Sequence, residues 1–316
     1  MKFVILMDPP ETISINKDTA FAFMECAYQR GHEVYYLPKG GLSLNQGEVV
    51  MRAFPTVPQR VEDEPLVLSD EVRLHGDEID AFFIRPDPPF DTEYLNNTWM
   101  LDRLPPNVFV MNKPSGVRTV NEKLWATQFT EIIPRTVVTR NQADYTSFLK
   151  DEGQIIAKPT DGYGGSGVFR VRDGDSNANV IFEMLSHQST TEVILQQYIP
   201  ESTVGDKRIL LLNGDLLGAV LRVHSAEDHR NNFFAGGKPQ KTEITAREQE
   251  IISTLKPHLL ALGLYFVGID VIGDYLIEVN VTAPTGIQEA SRLSNLPLTE
   301  KVMEFVEEQV NAISKK

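Results

Sequence analysis

The chain is poor in cysteine and in positive charge. Its 316 residues contain one cysteine, Cys26, so no intrachain disulfide can form. Lys and Arg number 30 against 44 Asp and Glu, a formal net charge of −14, which argues against a general role on nucleic acid or on an anionic membrane surface. The longest uncharged apolar run, residues 259–269, falls well short of the ~20 residues that span a bilayer. Residues 3–7 are apolar, but a secretory hydrophobic region needs ~7–15 residues, so they read as a first strand and a cytoplasmic location is expected. The histidines show no H-E-x-x-H spacing, and Ser166 sits in G-G-S-G-V, which misses G-x-S-x-G by its last residue. There is no G-x-x-x-x-G-K-[ST] loop, and Cys26 lies on an amphipathic helix as a packed thiol. No covalent catalyst stands out. In so acidic a chain, local clusters of Lys and Arg become candidates for holding an anionic ligand.

Hydropathy patterning divides the chain into three units, residues 1–120, 121–200 and 201–316. In the first, strands at 3–7, 33–37 and 81–84 alternate with a helix that Asp18-Thr19 can cap and Gly31 can end, carrying Phe21, Met24, Ala27 and Tyr28 on one side. Strand–helix–strand order predicts a right-handed parallel sheet. Residues 41–77 read as a β-rich insertion. In the second unit Asn121 can cap a helix through Phe129. Strands follow at 134–139, 155–159, 168–171 and 193–198, with a helix at 180–186. The third is hairpin-rich: strands 209–212 and 216–223 flank Asn213-Gly214-Asp215, and strands 266–272 and 276–281 flank Gly273-Asp274. A helix at 245–262 should be kinked or split by Pro257, and a last helix covers 299–312. The fold class expected is α/β: a Rossmann-like parallel-sheet unit, a small α+β unit, and a larger antiparallel-sheet unit.

Three constellations can carry chemistry. The loop Gly162-Tyr163-Gly164-Gly165-Ser166-Gly167 contains G-x-G-x-x-G, but a strand follows it where the dinucleotide fingerprint needs a helix. Between two strands it is either a flap whose N–H groups lie over phosphates, with Lys158 neutralising charge, or a flexible hairpin beside a surface lysine. Asp270, Glu278 and Asn280 form the second. Glu278 and Asn280 share one face of a strand whose alternate residues Ile277, Val279 and Val281 are apolar. A two-residue turn at Gly273-Asp274 would set Ile269 opposite Glu278, whereas a three-residue loop sets Asp270 opposite Glu278. The hydrophobic pattern prefers the second, bringing three oxygen donors together in a set that suits Mg²⁺. The competing reading is a solvated polar face. The third is basic: Lys207, Arg208, Arg222 and Arg230, with Arg85 at the end of a first-unit strand, where guanidinium forks can take carboxylates or each can be a surface residue. Residues 225–238 end in a Gly236-Gly237 pair and read as a lid or as a surface loop.

The order of these parts resembles the ATP-grasp superfamily and, more finely, the bacterial glutathione synthetases. The resemblance is carried by Met7-Asp8-Pro9, Lys17-Asp18-Thr19, Asp87-Pro88-Pro89-Phe90-Asp91, Asn112-Lys113-Pro114 and Asn121-Glu122-Lys123. Further along, Gln197-Tyr198-Ile199-Pro200, Asp206-Lys207-Arg208, Ala235-Gly236-Gly237, Val267-Gly268-Ile269-Asp270 and Ile277-Glu278-Val279-Asn280-Val281-Thr282 continue it. It implies ATP and two Mg²⁺ ions, with Mn²⁺ a possible substitute, and ligation of γ-glutamylcysteine to glycine through an acyl phosphate. Another amine or peptide acceptor, or a non-catalytic ATP-binding scaffold, are the competing outcomes. By resemblance, Lys123, Lys158 and Lys207 attend the nucleotide with Gly162, Gly164, Gly165 and Gly167 above the phosphates, and Gln197, Tyr198 and Ile199 line the adenine. Asp270, Glu278 and Asn280 hold the metal, and Arg208, Arg222 and Arg230 face the reacting carboxylate. Arg85, Asp87, Asn232, Gly236, Gly237, Thr282, Ala283, Pro284 and Thr285 seat the small-molecule peptide and amino-acid substrates. A homo-oligomer follows from the same resemblance, the family tending to tetramers, with neither nucleic acid nor membrane as partner. The chain departs from the family pattern at Pro86, Tyr163, Asn231, Phe233, Phe234, Lys238, Ala283 and Gly286, mostly on the acceptor side, and the paired phenylalanines have no physical account.

Overall fold

Apolar and β-branched runs bounded by Gly, Pro and charged residues become buried strands, and the first unit is built on four of them. In the computed structural model, which describes residues 1–223 and 237–315, the chain runs β1 (Lys2–Leu6), α1 (Thr19–Gln29), β2 (Glu33–Leu37), β3 (Leu42–Asn45), β4 (Glu48–Pro58), β5 (Leu66–Leu68), β6 (Val72–His75), β7 (Ala81–Ile84), α2 (Thr92–Leu101), β8 (Phe109–Met111) and α3 (Pro114–Thr119). β2, β1, β7 and β8 lie side by side and parallel, while β3 to β6 form the antiparallel insertion expected at 41–77, joined to β2 through β4. Asp18 caps α1 by accepting from the Phe21 N–H at 2.6 Å, and Phe21, Met24 and Ala27 are buried, whereas Tyr28 stays 44% exposed at the helix end. Because β1 pairs with β2 on one side and β7 on the other, the strand order reverses at β1. This is the position where open parallel sheets bind ligands, at the carboxyl ends of the strands.

The second unit runs β9 (Thr136–Thr139), α4 (Gln142–Glu152), β10 (Gln154–Pro159), β11 (Phe169–Arg172), α5 (Ala178–Leu185) and β12 (Val193–Gln197). Its sheet is antiparallel in the order β11-β10-β12-β9. Tyr145 and Phe148 of α4 and Phe182 of α5 cover one face, the Tyr145 and Phe182 rings stacking at 4.4 Å.

The third runs β13 (Asp206–Leu212), β14 (Asp215–Val223), β15 (Lys238–Gln240), α6 (Ala246–Leu262), β16 (Phe266–Ile272), β17 (Tyr275–Asn280), α7 (Ile287–Ser294) and α8 (Leu298–Ser314). Among the described residues its strand order is β15-β14-β13-β16-β17. Ile251, Ile252, Leu255 and Leu259 of α6 pack on Ile209, Leu211, Ile269, Val271 and Val279. Of the two expected effects of Pro257, kinking or splitting, splitting does not occur: fully buried leucines on both sides, Leu255 and Leu259, hold the two halves of α6 to one sheet face.

The helix expected over 121–129 is also absent. Asn121 does cap, accepting from Lys123 N and Leu124 N at 3.0 and 2.9 Å, but only a 3₁₀ turn, Trp125–Gln128, follows. The reason is tertiary: the Glu122 carbonyl is taken by the Val279 N–H of β17 at 2.9 Å, so it is not spent on a helical partner. First and third units are joined by buried Asn112. Its Nδ2 donates to Phe266 O and Val281 O at 2.8 and 2.9 Å, and its Oδ1 accepts from Tyr265 N and Phe266 N at 2.8 Å each.

Candidate active site

Two hairpins form the floor of the site, and each contains one extra residue. Asn213 and Gly214, at φ 51° and 78°, make a two-residue turn with Leu212 opposite Asp215 and Leu211 opposite Leu216. Leu210 then faces Gly218, leaving Leu217 as a bulge. An uninterrupted ladder would set Leu221 opposite Asp206; the bulge sets Arg222 there instead. The second hairpin repeats the device. Ile272 faces Tyr275 and Val271 faces Leu276, so the turn is the two-residue Gly273-Asp274, yet Asp270 faces Glu278 because Ile277 is bulged out. Turn length and register, posed as linked alternatives by the sequence, are thus uncoupled. The core takes Leu276, Val279 and Val281, each 0% exposed, and Ile277 is not the core residue that alternation suggested.

Directly opposed residues project to the same side of a ladder. Arg208 opposes Asp270, Asp270 opposes Glu278, Gly268 opposes Asn280, and Asp206 opposes Arg222, so six polar side chains share the face away from α6. They form a connected set. Arg208 Nε and Nη2 reach Asp270 Oδ1 and Oδ2 at 2.6 and 3.0 Å, and Arg222 Nη2 reaches Asp270 Oδ2 at 3.0 Å. Arg222 also grips Asp206 with two bonds of 2.7 Å. Burial opposes ionisation of Asp270, but Arg208 and Arg222 outweigh it and hold the carboxyl well below the usual carboxylate range. Asn280 Nδ2 donates to Gly268 O at 3.2 Å and Asp270 Oδ2 at 3.4 Å, which leaves its carbonyl oxygen as the group to meet a cation.

Two lysines complete the cluster. Lys123 Nζ and Lys158 Nζ lie 3.7 and 3.9 Å from Glu278 Oε1. Lys158 is only 3% exposed, touches Gln196 Oε1 at 3.3 Å, and has its ammonium pushed down by burial against the pull of Glu278. Gly162–Gly167 does connect two antiparallel strands, β10 and β11, with Gly164, Gly165 and Gly167 all at positive φ, and Lys123 Nζ donates to Gly162 O. Two carboxylates and an amide oxygen are hard donors that fit Mg²⁺. Among the described residues no group of three or more His, Cys, Asp or Glu side chains forms a separate metal cage.

The remaining expected residues are placed unevenly. Gln197 ends β12, its N–H donating to Arg135 O at 2.9 Å; Arg170 lies over the Tyr198 ring at 4.0 Å, and Ile199 is buried. Lys207, adjacent to Arg208 on β13, points to the other side, where it meets Glu248 Oε1 at 2.7 Å and Glu243 O at 2.7 Å. It is not brought to the cluster. Arg85 donates to Pro284 O at 2.9 Å and Arg208 Nη1 to Thr285 O at 3.2 Å. The Asp87 N–H donates to Asp8 Oδ2 at 2.7 Å, Ala283 is buried, and Gly237 leads into β15. Arg230, Asn232, Phe233, Phe234 and Gly236 lie outside the described residues. Two acids without an expected role emerge. Asp206 holds Arg222, and Glu122 Oε1 accepts from Val281 N, Thr282 N and Thr282 Oγ1 at 2.8, 3.0 and 2.8 Å. The signal for Glu122 was its place beside Lys123; for Asp206, its place in Asp-Lys-Arg.

Residues 1–118 match the model of the prokaryotic glutathione synthetase N-terminal domain, and residues 122–295 that of the prokaryotic glutathione synthetase ATP-grasp domain. A glutathione synthetase of Brucella melitensis is 38% identical over 307 residues, covering 97% of this chain and 98% of its own. One from Synechocystis sp. is 40% identical over 319 residues, covering 98% of this chain and all of its own. Among solved structures, a Chryseobacterium gregarium RiPP-associated ATP-grasp ligase in complex with ADP and a leader and core peptide superposes with TM-score 0.67 at 16% identity, covering 98% and 97% of the two chains. A D-alanine–D-alanine ligase from Bacillus anthracis complexed with ATP gives 0.60 at 14%, covering 100% and 99%. These two likenesses concern the fold.

Proposed function

The chain belongs to the prokaryotic glutathione synthetase family, and from that premise we propose how its own residues join γ-glutamylcysteine to glycine. The activity is that of an ATP-dependent ligase forming a C–N bond with release of ADP and phosphate. The observation that carries the residue assignment is the convergence of Arg208, Arg222, Asp270, Glu278 and Asn280 on one sheet face, with Lys123 and Lys158 against Glu278 and the glycine loop tied to Lys123.

Lys123 and Lys158 take the ATP phosphates beneath the loop containing Gly162, Gly164, Gly165 and Gly167, and backbone groups of Gln197, Tyr198 and Ile199 take the adenine. Lys207 is assigned instead to anchoring α6, because its ammonium is already held by Glu248 on the far face. The substrate carboxylate attacks the γ-phosphate and ADP leaves; the amine of glycine then attacks the acyl carbon and phosphate leaves. Arg208 and Arg222 neutralise the carboxylate as it approaches and the charge that grows on its oxygens, where one well-placed donor is worth ~2.7–4 kcal/mol by analogy with oxyanion holes. Asp270, Glu278 and Asn280 would hold two Mg²⁺, or Mn²⁺ in their place, supplying further charge neutralisation at the phosphates. Residues 282–285, with Arg85 and Asp87, seat the peptide. No described helix is long and apolar enough to cross a membrane, and a cytoplasmic homo-oligomer, with four copies as the family pattern implies, completes the reading.

Purified chain with ATP and Mg²⁺ should release ADP only when γ-glutamylcysteine and glycine are both present, with a product of glutathione mass. Release that requires a different amine would redirect the substrate assignment. No release with any amine would overturn the ligase reading.

A further inference from the structure

β12 ends at Gln197 and β13 begins at Asp206, so residues 198–205 carry the chain from the second unit to the third. A 3₁₀ turn, Pro200–Thr203, occupies the middle of this crossing. Backbone bonds tie its first residues loosely. Tyr198 N reaches Gln154 O at 3.4 Å, which is long for an N–H···O bond, and the Ile199 carbonyl is taken within the turn by Ser202 N at 3.1 Å. A segment whose backbone groups receive a nucleotide base needs a firmer hold than this.

A side-chain stack supplies it. The Arg170 guanidinium lies 4.0 Å from the centroid of the Tyr198 ring, well inside the ~6 Å range of a cation–π contact, and Arg170 Nη2 donates to Gln154 Oε1 at 3.2 Å. Gln154 thus meets the segment twice, through its own carbonyl and through Arg170. Its Nε2 has no acceptor, so among the described residues the amide is fixed by Arg170. The stack lies on the nucleotide side of the sheet. Arg170 opposes Ile156 of β10 from one side and Gln196 of β12 opposes it from the other, while Lys158, two residues further on, projects to the same face. Gln196 Oε1 meets Lys158 Nζ on that face at 3.3 Å, whereas Ala157, Val171 and Leu195 turn to the opposite one and pack with α4 and α5. At ~3.3 Å per residue along β10, the level of Arg170 is about 7 Å from the lysine assigned to the phosphates.

We infer that Arg170 is a positioning residue for adenine: stacked on Tyr198 and bonded to Gln154, it fixes the backbone of residues 197–199 in the form that receives the base. The inference rests on the functional reading above and extends the base pocket to β11, a strand that reading does not use. Arg170 acts through Tyr198 and does not itself contact the nucleotide. The competing role is a surface stack that stabilises the second unit without bearing on the base.

Binding separates the two, with Mg·ADP as the probe that carries a base and Mg²⁺ with inorganic tripolyphosphate as the probe that does not. Arg170 is exposed, so its replacement leaves the core intact, and circular dichroism checks the fold. Arg170→Ala should bind Mg·ADP about 3–10-fold more weakly than wild type, the worth of an exposed cation–π contact together with one hydrogen bond, and should bind tripolyphosphate unchanged. The KM for ATP should rise by the same factor, with the KM values for γ-glutamylcysteine and glycine unmoved. Tyr198→Leu should reproduce the loss, and the double variant should be no weaker than either single one, because the two side chains act as a unit. Wild-type affinity for Mg·ADP in Arg170→Ala, equal losses for ADP and tripolyphosphate, or additive losses in the double variant would each overturn the inference and leave the ligase reading in place. A wild-type chain that binds tripolyphosphate as tightly as ADP would overturn the adenine assignment itself.

Discussion

Gly268→Ala puts one methyl group at the centre of the site. Gly268 lies on β16 opposite Asn280 and Leu210, and its missing side chain is the space through which Arg208 reaches Asp270. An added Cβ would stand 2.9 Å from Pro284 Cβ and 3.1 Å from Arg208 Cδ. Ordinary carbon contacts are ~3.5–4.0 Å, so both neighbours must yield by about half an ångström. Neither is free to do so. The Pro284 carbonyl is held by Arg85, and Arg208 is fixed by two bonds to Asp270 and one to Thr285 O. Overpacking of this kind costs ~1–3 kcal/mol of stability. Displacement of Arg208 by a fraction of an ångström to one ångström should lower kcat by about 10–100-fold. The KM for ATP should change little, because Lys123 and Lys158 stand on other elements. Steady-state kinetics with each substrate varied, beside a urea melt, separates the two effects. A variant with wild-type kcat would refute the claim that the Arg208–Asp270 pair positions the reaction.

Other perturbations have equally definite outcomes. Glu122→Ala removes the acceptor of three hydrogen bonds and should cost ~1–3 kcal/mol and raise the KM for Mg·ATP; Glu122→Gln should restore most of both, since all three bonds use Oε1, and equal damage from the two would show that charge matters more than the bonds. Asn112→Ala strands two N–H groups and two carbonyls between the first and third units, and urea melts should register a loss of ~3 kcal/mol or more. Glu307 on α8 binds Arg30 and His32, and the Arg30 hydrogen bond, opposed by burial, brings its carboxyl down to about 2. Because its folded pKa lies below the unfolded value of about 4.5, this stability is present above pH ~4.5 and is lost as pH falls toward 2. Glu307→Gln should therefore cost ~1 kcal/mol at pH 7, after allowance for solvent screening, and the gap from wild type should close on acidification.

Much of the architecture could be read from residues alone. β2 and β7 have the bounds expected, because each apolar run is closed by charged or proline-bearing segments. The convergence of Asp270, Glu278 and Asn280 was legible from the face each residue must avoid. The bulges were not. Turn chemistry favours two residues at Gly273-Asp274, hydrophobic patterning favours Asp270 opposite Glu278, and both preferences are satisfied at the expense of Ile277, which leaves the core. Sequence patterning states which face a residue prefers but not where a ladder absorbs an extra one. The Asp206–Arg222 pair depended on the same kind of slip at Leu217. Glu122 was marked only by its place beside Lys123, because a lone acid after a capping asparagine looks solvated until β17 is laid against it. Lys207 shows the converse, since adjacency to Arg208 on a strand guarantees opposite faces.

In the proposed mechanism Glu278 and Asn280, with Asp270, bind magnesium beside the two arginines. It is tested most directly by the Mg²⁺ concentration that half-saturates ADP release in wild type, Glu278→Gln and Asn280→Ala, with circular dichroism to confirm folding. Both folded variants should need at least about tenfold more Mg²⁺, or lose turnover altogether, as removal of a metal ligand requires. Folded variants with wild-type turnover and an unchanged Mg²⁺ requirement would contradict it.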